Sequence, residues 1–484
     1  MNGKRLIRLG LVLIAVVTLA ACVGVRSEFP AWKLPHPEQV SSEPGSNDSD
    51  MPAIYTDSGD NVIVAWSSDP SVSGHSDTEI YWRRFNNIGI PQTPPVRLTH
   101  NGFGDYYPSI SMDNGITYLV WMGDEISSSN IYWASVDQDG NILEGPEMIS
   151  DPTYNDYDPH LIQCGNYSNI FWSGDSASND FEIYYAKIRY NGIMDIPYKS
   201  VTNLPWSEQY PHGETNLFCT QLFIAYELDF SPTNSDVFLV GVNTSDGSNA
   251  FGPFELNADL ADDKDIDIAV DSPFFGSTLI SVVWTRDDGS DSETLYASRY
   301  SNGTICAPAT ALTDDSQLDA HPVVENAEWN GKKYALVFWE RVEPGSGADR
   351  DIYASSFVDD CTPSPPSSPI LISESAASET AEDVNPQVVA RLAPDSAPIF
   401  AAIWRTEGDG AVWSRFGTIG YAIGPSDRIS DNVSAGFPSG VERPAPVASL
   451  GDQLYVTWIG NNLGTVETWY QQTAWRTSLP IISK

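Results

Sequence analysis

The chain is poor in positive charge. Its 484 residues hold 25 lysines and arginines against 65 aspartates and glutamates, a formal net charge of −40. So acidic a surface cannot neutralise phosphates, which excludes nucleic acid as a partner. It also resists adsorption to anionic lipid heads. Histidine is sparse: His36, His75, His100, His160, His212 and His321 show no HxH or HExxH spacing suited to zinc. No GxSxG elbow and no phosphate-cradling glycine loop is present. Only five cysteines occur. The apolar stretch at residues 9–21 is short for a membrane span.

What is abundant is repetition. Trp66, Trp121, Trp172, Trp284, Trp339, Trp404 and Trp458 recur down the chain, with Tyr226 filling the one gap. The intervals are 55, 51, 54, 58, 55, 65 and 54 residues. Self-similarity at this length marks units that bury their apolar faces against one another. The clearest copy, residues 106–150, reads as strand, turn, strand, loop, strand, turn, strand, with Asp113-Asn114-Gly115 and Asp139-Gly140 at the turns. The second run ends in the aromatic residue and is apolar on both faces: NVIVAW at 61–66, LISVVW at 279–284, YALVFW at 334–339. A strand apolar on both faces is covered on both sides. Blades of four antiparallel strands stacked around an axis satisfy that, so the expected fold is an all-β propeller, with a continuous β-sandwich as runner-up. Eight copies of the first three runs start near residues 52, 108, 159, 211, 266, 322, 386 and 444, giving eight blades; seven is the alternative count. Spare copies of the fourth run lie at 37–42 and 479–483. One of them should close the ring.

The pattern Pro-x-hydrophobic-Ser, Asp-x-Gly, an apolar strand ending in an aromatic, Ile-Tyr, Asp-Gly and Leu-Thr or Ile-Ser resembles the blades of TolB-like (PD40-type) propellers. Sialidase-like propellers are more distantly similar. The resemblance covers roughly residues 37–484 and implies architecture rather than one activity. At the N-terminus Lys4, Arg5 and Arg8 precede the apolar stretch, followed by Leu19-Ala20-Ala21-Cys22. This resembles the lipobox of bacterial lipoproteins. It implies a signal peptide at 1–21, lipidation of Cys22, a tether at 22–36 and a propeller domain at 37–484.

The other four cysteines fall in two pairs, each one repeat apart: Cys164 with Cys219 and Cys306 with Cys361, both 55 residues apart. Equivalent places on neighbouring blades come close, so two disulfides and an oxidising compartment are expected. An acid recurs three positions before the proline that opens each blade: Asp105, Asp156, Glu208, Asp319 and Asp383, with Asp263 in the matching place before Ile266. The expected role is to accept backbone N–H groups across the blade-to-blade connection; a cation-attracting ring at the channel mouth is the alternative. The residues directly before those prolines vary: Tyr107, Asp158, Tyr210, Asp265, His321, Asn385 and Arg443. Variation within a repeat is where a site would be grafted, so these seven are the candidate ligand surface at the channel mouth. The repeated tryptophans read as core rather than as sugar platforms. Asp263-x-Asp265-x-Asp267 lacks the glycine and distal glutamate of a calcium loop. No cofactor is called for, with calcium the one ion the acidic surface suggests.

Taken together, these features lead us to expect a monomeric, extracytoplasmic, lipid-anchored propeller that binds a protein or glycan at its face and touches the membrane through its lipid alone. Its expected role is a binding or scaffold module, not an enzyme. The alternative is a carboxylate-based glycoside hydrolase or lyase, since a carboxylate pair is compatible with so many acids.

Overall fold

The computed structural model describes residues 38–41, 49–56, 61–69, 78–86, 89–176, 180–231, 234–273, 276–342, 349–359, 361, 369–373, 382–391, 399–406, 411–418, 421–428, 448–450, 453–462 and 465–474. The expected leader, Cys22, the tether, Arg443 and the 479–483 run lie outside the described residues.

Among the described residues there is no helix. The strands form eight antiparallel sheets of four strands each. The second blade shows the unit: Gly104–Asp113, Ile116–Asp124, Ser129–Val136 and Ile142–Met148. Its turn holds Asn114 and Gly115 at φ of 51° and 78°, the left-handed conformations that Asn and Gly tolerate. The first strands of the other blades are Ser49–Thr56, Asp156–Cys164, Ser207–Thr215, Asp262–Asp271, Asp319–Trp329, Asp383–Arg391 and Ala448–Leu450. Each first strand contacts the first strand of the next blade, and the last contacts the first, so they line a closed central channel. This is an eight-bladed β-propeller.

Ring closure is decided at the N-terminus. Glu38–Gln39 pairs antiparallel with Thr465–Ala474, matching Glu38 to Tyr470 and Gln39 to Trp469, and supplies the outer strand of the eighth blade. Val40, fully buried, then enters the cluster of Ile54, Val64 and Trp66 in the first blade. The Arg83 guanidinium donates to the Val40 carbonyl at 3.1 Å. One short segment therefore satisfies an open sheet edge and fills the seam between the last and first blades.

The second strands are buried on both faces, as their composition requires. Val62–Ser68 is buried at every position. Each apolar cluster mixes two blades: Ile80 and Trp82 of the first pack with Leu119 and Trp121 of the second. Trp66, Trp121, Trp172, Trp284, Trp339 and Trp404 are at most 1% exposed.

Three repeated motifs prove to be parts of one latch between blades. The Trp121 indole donates to Asp105 Oδ1 (3.0 Å), Trp172 to Asp156 Oδ1 (2.7 Å) and Trp339 to Asp319 Oδ1 (3.0 Å). The same acids meet the hydroxyl that ends the preceding blade's fourth run: Thr99, Ser150, Thr202, Thr313 and Ser373 face Asp105, Asp156, Glu208, Asp319 and Asp383. Each hydroxyl also accepts a backbone N–H of its own third strand, as Thr99 does from Ile80 at 2.9 Å. The acids thus accept chiefly from indole and hydroxyl groups, not from the backbone amides expected. The reason is packing: burying the indole of Trp121, Trp172 or Trp339 between blades favours an acceptor for its N–H inside the interblade core. Exposures of 0–9% also remove these acids from any solvent ring at the mouth. Burial raises the carboxyls of Asp105, Asp156, Asp263 and Asp383 to about 7. In the sixth blade Arg341 adds a two-pronged contact to Asp319, at 2.7 and 2.8 Å.

Both expected disulfides form. Cys164 and Cys219 link the turns after the first strands of the third and fourth blades, with Cα atoms 5.9 Å apart. Cys306 and Cys361 link the fifth and sixth, at 4.4 Å. Two disulfides place the chain in an oxidising, extracytoplasmic compartment.

Candidate functional site at the channel mouth

Among the described residues, the first strands of blades one to seven carry a bulge where they meet the mouth. The register slips between Tyr106 and Ser109, Tyr157 and His160, Gln209 and His212, Lys264 and Asp267, Ala320 and Val323, and Val384 and Gln387. Inside each of these sits one candidate residue. Tyr107, Asp158, Tyr210, Asp265, His321 and Asn385 all take φ between 47° and 55°. This is an unfavourable conformation for residues with a Cβ, and a bulge re-aims the side chain it contains. Six of the seven sequence candidates therefore share one backbone device. Arg443 lies outside the described residues.

Two of these six meet. His321 Nε2 lies 3.8 Å from Asp265 Oδ1, across the seam between the fifth and sixth blades. His321 Nδ1 lies 2.9 Å from Glu340 Oε1. The side chains of His321 and Asp265 are 33% and 19% exposed, and Glu340 is 1% exposed. The order from solvent inward is thus aspartate and imidazole in front, glutamate behind. Glu340 also accepts the Asn385 N–H at 2.6 Å and lies 3.4 Å from Arg350.

Glu227, in the matching place of the fourth blade, accepts the Asp265 N–H at 2.9 Å. Burial, with Asp265 nearby, raises its carboxyl to about 8. Glu227 and Glu340 were not among the sequence candidates. Each follows the repeated aromatic of a second strand, where the other blades carry Ser67, Met122, Ser173, Thr285, Arg405 and Ile459. That irregularity was the available signal.

Deeper in the channel the same sector stays polar. The His160 ring stacks on Phe171, with centroids 5.2 Å apart and planes 7° apart, and burial lowers its imidazole to about 4. His212 follows at 5.6 Å, with its Nδ1 3.9 Å from Asp267 Oδ1. Asp267 Oδ2 accepts the Val324 N–H, and Glu214 accepts the Val270 N–H, both at 2.8 Å. Enclosure raises the Glu214 carboxyl, although the residue meets channel water, and raises Glu325 to about 8. The Asp263-x-Asp265-x-Asp267 run does not converge. Asp263 is buried against the Asn257 amide, Asp265 faces His321 at the mouth, and Asp267 lies within the channel. Among the described residues no group of three or more His, Cys, Asp or Glu side chains is arranged to hold a metal.

The chain is a β-propeller whose chemically distinctive sector spans blades three to six. No protein-family pattern matches it, and no curated protein matches it. Solved structures similar to it include a polysaccharide lyase (TM-score 0.42, 11% identity, 76% of this chain and 89% of that one). An α-L-arabinanase from Penicillium chrysogenum matches with TM-score 0.39 and 14% identity over 66% of this chain and 98% of that one. The WD40 domain of SCAP from fission yeast matches with TM-score 0.44 and 9% identity over 91% and 98%. Likeness at this level carries nothing about activity. The fold assignment rests on the eight sheets and their closed ring.

Proposed function

We propose that this protein is an extracytoplasmic glycan-cleaving enzyme that works at the channel mouth, rather than a scaffold. The observation that carries the reading is the Asp265–His321–Glu340 cluster: two solvent-reached groups with one buried carboxyl behind them. Buried positioning of a surface acid–base group is what proton transfer requires. Hydrolysis of a glycosidic bond needs one carboxyl that holds its proton and one group that takes a proton from water. We assign the first to Asp158, which sits in the matching left-handed bulge of the third blade and whose carboxyl burial raises. Asp265 supplies the second, with the His321 imidazole beside it. Water adds to the anomeric carbon and gives a proton to Asp265, the bond to the leaving oxygen breaks, and Asp158 protonates that oxygen.

Lipid attachment through Cys22 belongs to the same proposal, as does kinship with TolB-like propellers. An enzyme for polymers outside the cytoplasm gains from being held at the cell surface by acylation. Mass spectrometry of the protein from a bacterial membrane should find Cys22 acylated at the N-terminus of the processed chain.

The test of activity is release of reducing ends from a panel of polysaccharides. Wild-type protein should release product, and Asp265→Asn and His321→Ala should not, while both variants melt like the wild type. Glycan binding without any release, unchanged by either substitution, would return the protein to the scaffold reading.

A further inference from the structure

The same face carries an aromatic surface beside the proposed reacting groups. Trp206 lies in the connection that enters the fourth blade and is 43% exposed, unlike the buried blade tryptophans. Its ring is held edge-on against Phe230, with centroids 4.8 Å apart and planes at 69°. Phe230 belongs to the second strand of that blade, Gln221–Ser231. The two rings therefore brace each other across the strand pair, in which Ser207 is matched with Asp229. Tyr210, 52% exposed, follows four residues later on the first strand. Trp206 is thus an exposed ring held in place one blade away from Asp265.

The charge of the neighbouring fifth blade restricts what can lie there. Lys264 is tied to Asp262 and Asp287, each at 3.3 Å, and Arg286 to Asp259 at 2.7 Å. These rim cations are neutralised by the chain's own aspartates, and the chain as a whole carries −40. A polyuronate approaching this rim meets net repulsion. An uncharged sugar face meets a flat apolar ring with polar neighbours.

We propose that the Trp206–Phe230 surface is a stacking subsite for an uncharged glycan chain, which makes the substrate a neutral polysaccharide and the reaction hydrolysis rather than uronate elimination. This rests on the glycan-cleaving reading above, and its test separates the two. Full-length protein is run through native gels containing a β-glucan, a galactomannan or polygalacturonate, as wild type, Trp206→Ala, Trp206→Phe and Asp265→Asn. Retardation should occur with a neutral polymer and not with polygalacturonate. Trp206→Ala should weaken it about tenfold, and Trp206→Phe should restore most of it. Asp265→Asn should still be retarded. Binding of polygalacturonate alone, binding of no polymer, or binding unaffected by Trp206→Ala overturns the subsite. Retention of a neutral glycan through Trp206 without product release sinks the hydrolase and leaves the subsite standing.

Discussion

Two sets of acids sit near the same end of this propeller, only a few residues apart, and they do opposite things. Asp105, Asp156, Glu208, Asp263, Asp319 and Asp383 are sealed between blades at 0–9% exposure and touch indoles, hydroxyls or amides. Asp265 stands two residues after Asp263, yet it reaches solvent and faces an imidazole. The difference is periodicity. A group present in nearly every blade answers a need that the blades share, here the hydroxyl that ends the preceding blade and, in three of them, the N–H of a buried indole. A group present in one blade answers to something outside the repeat.

That contrast can be broken in several ways. The largest effect should come from Trp172→Ala. It leaves a cavity and strips Asp156 of its donor, costing about 3–5 kcal/mol of stability by urea unfolding. Survival of the fold at full stability would remove the latch. Asp265→Asn should act the other way round: catalysis falls by about 10²–10⁴-fold while stability moves by no more than about 0.5 kcal/mol. An equal loss of stability in both variants would erase the distinction between the sets. Val40→Ala tests the seam that the N-terminal strand closes, with a cost of roughly 2 kcal/mol at a fully buried position.

The two sets also differ in pH dependence. Asp105, Asp156, Asp263 and Asp383 move from an ordinary 3.8 up to about 7 on folding. Between these values the folded chain holds protons that the unfolded chain has lost. Their contribution to stability is therefore full below about pH 4, declines as pH rises toward about 7, and is flat beyond. The melting temperature should be higher at pH 5 than at pH 8. Asp156→Asn should make that decline shallower by about 1.4 kcal/mol per pH unit.

Much of the framework was legible in residues. The second runs are apolar on both faces, and only a position covered on both sides rewards that composition. The paired 55-residue cysteine spacings equal one blade, so both bridges could be read directly. The recurring acid was found but misassigned. Its partners lie 16 residues on, at the indole, and in the preceding blade, at a hydroxyl. Neither link is local, and turn chemistry suggested the nearer amides instead. The candidate mouth residues were singled out because they vary, but nothing in Tyr107 or Asp265 announces a left-handed bulge; the slip in strand pairing creates it. Glu227 and Glu340 escaped because they follow residues read only as core.

Composition and spacing by themselves determined the repeat, the buried strand, the disulfide pairs and the acidity. Each follows from one blade's need to cover its faces, and that need is met within about 55 residues of chain. Only the closed ring decided that the N-terminal segment completes the eighth blade, that His321 stands between Asp265 and Glu340, and that Trp206 alone among the compared tryptophans meets solvent. These are relations between segments far apart in the chain. They exist only when eight similar sheets are set around one axis in a single register.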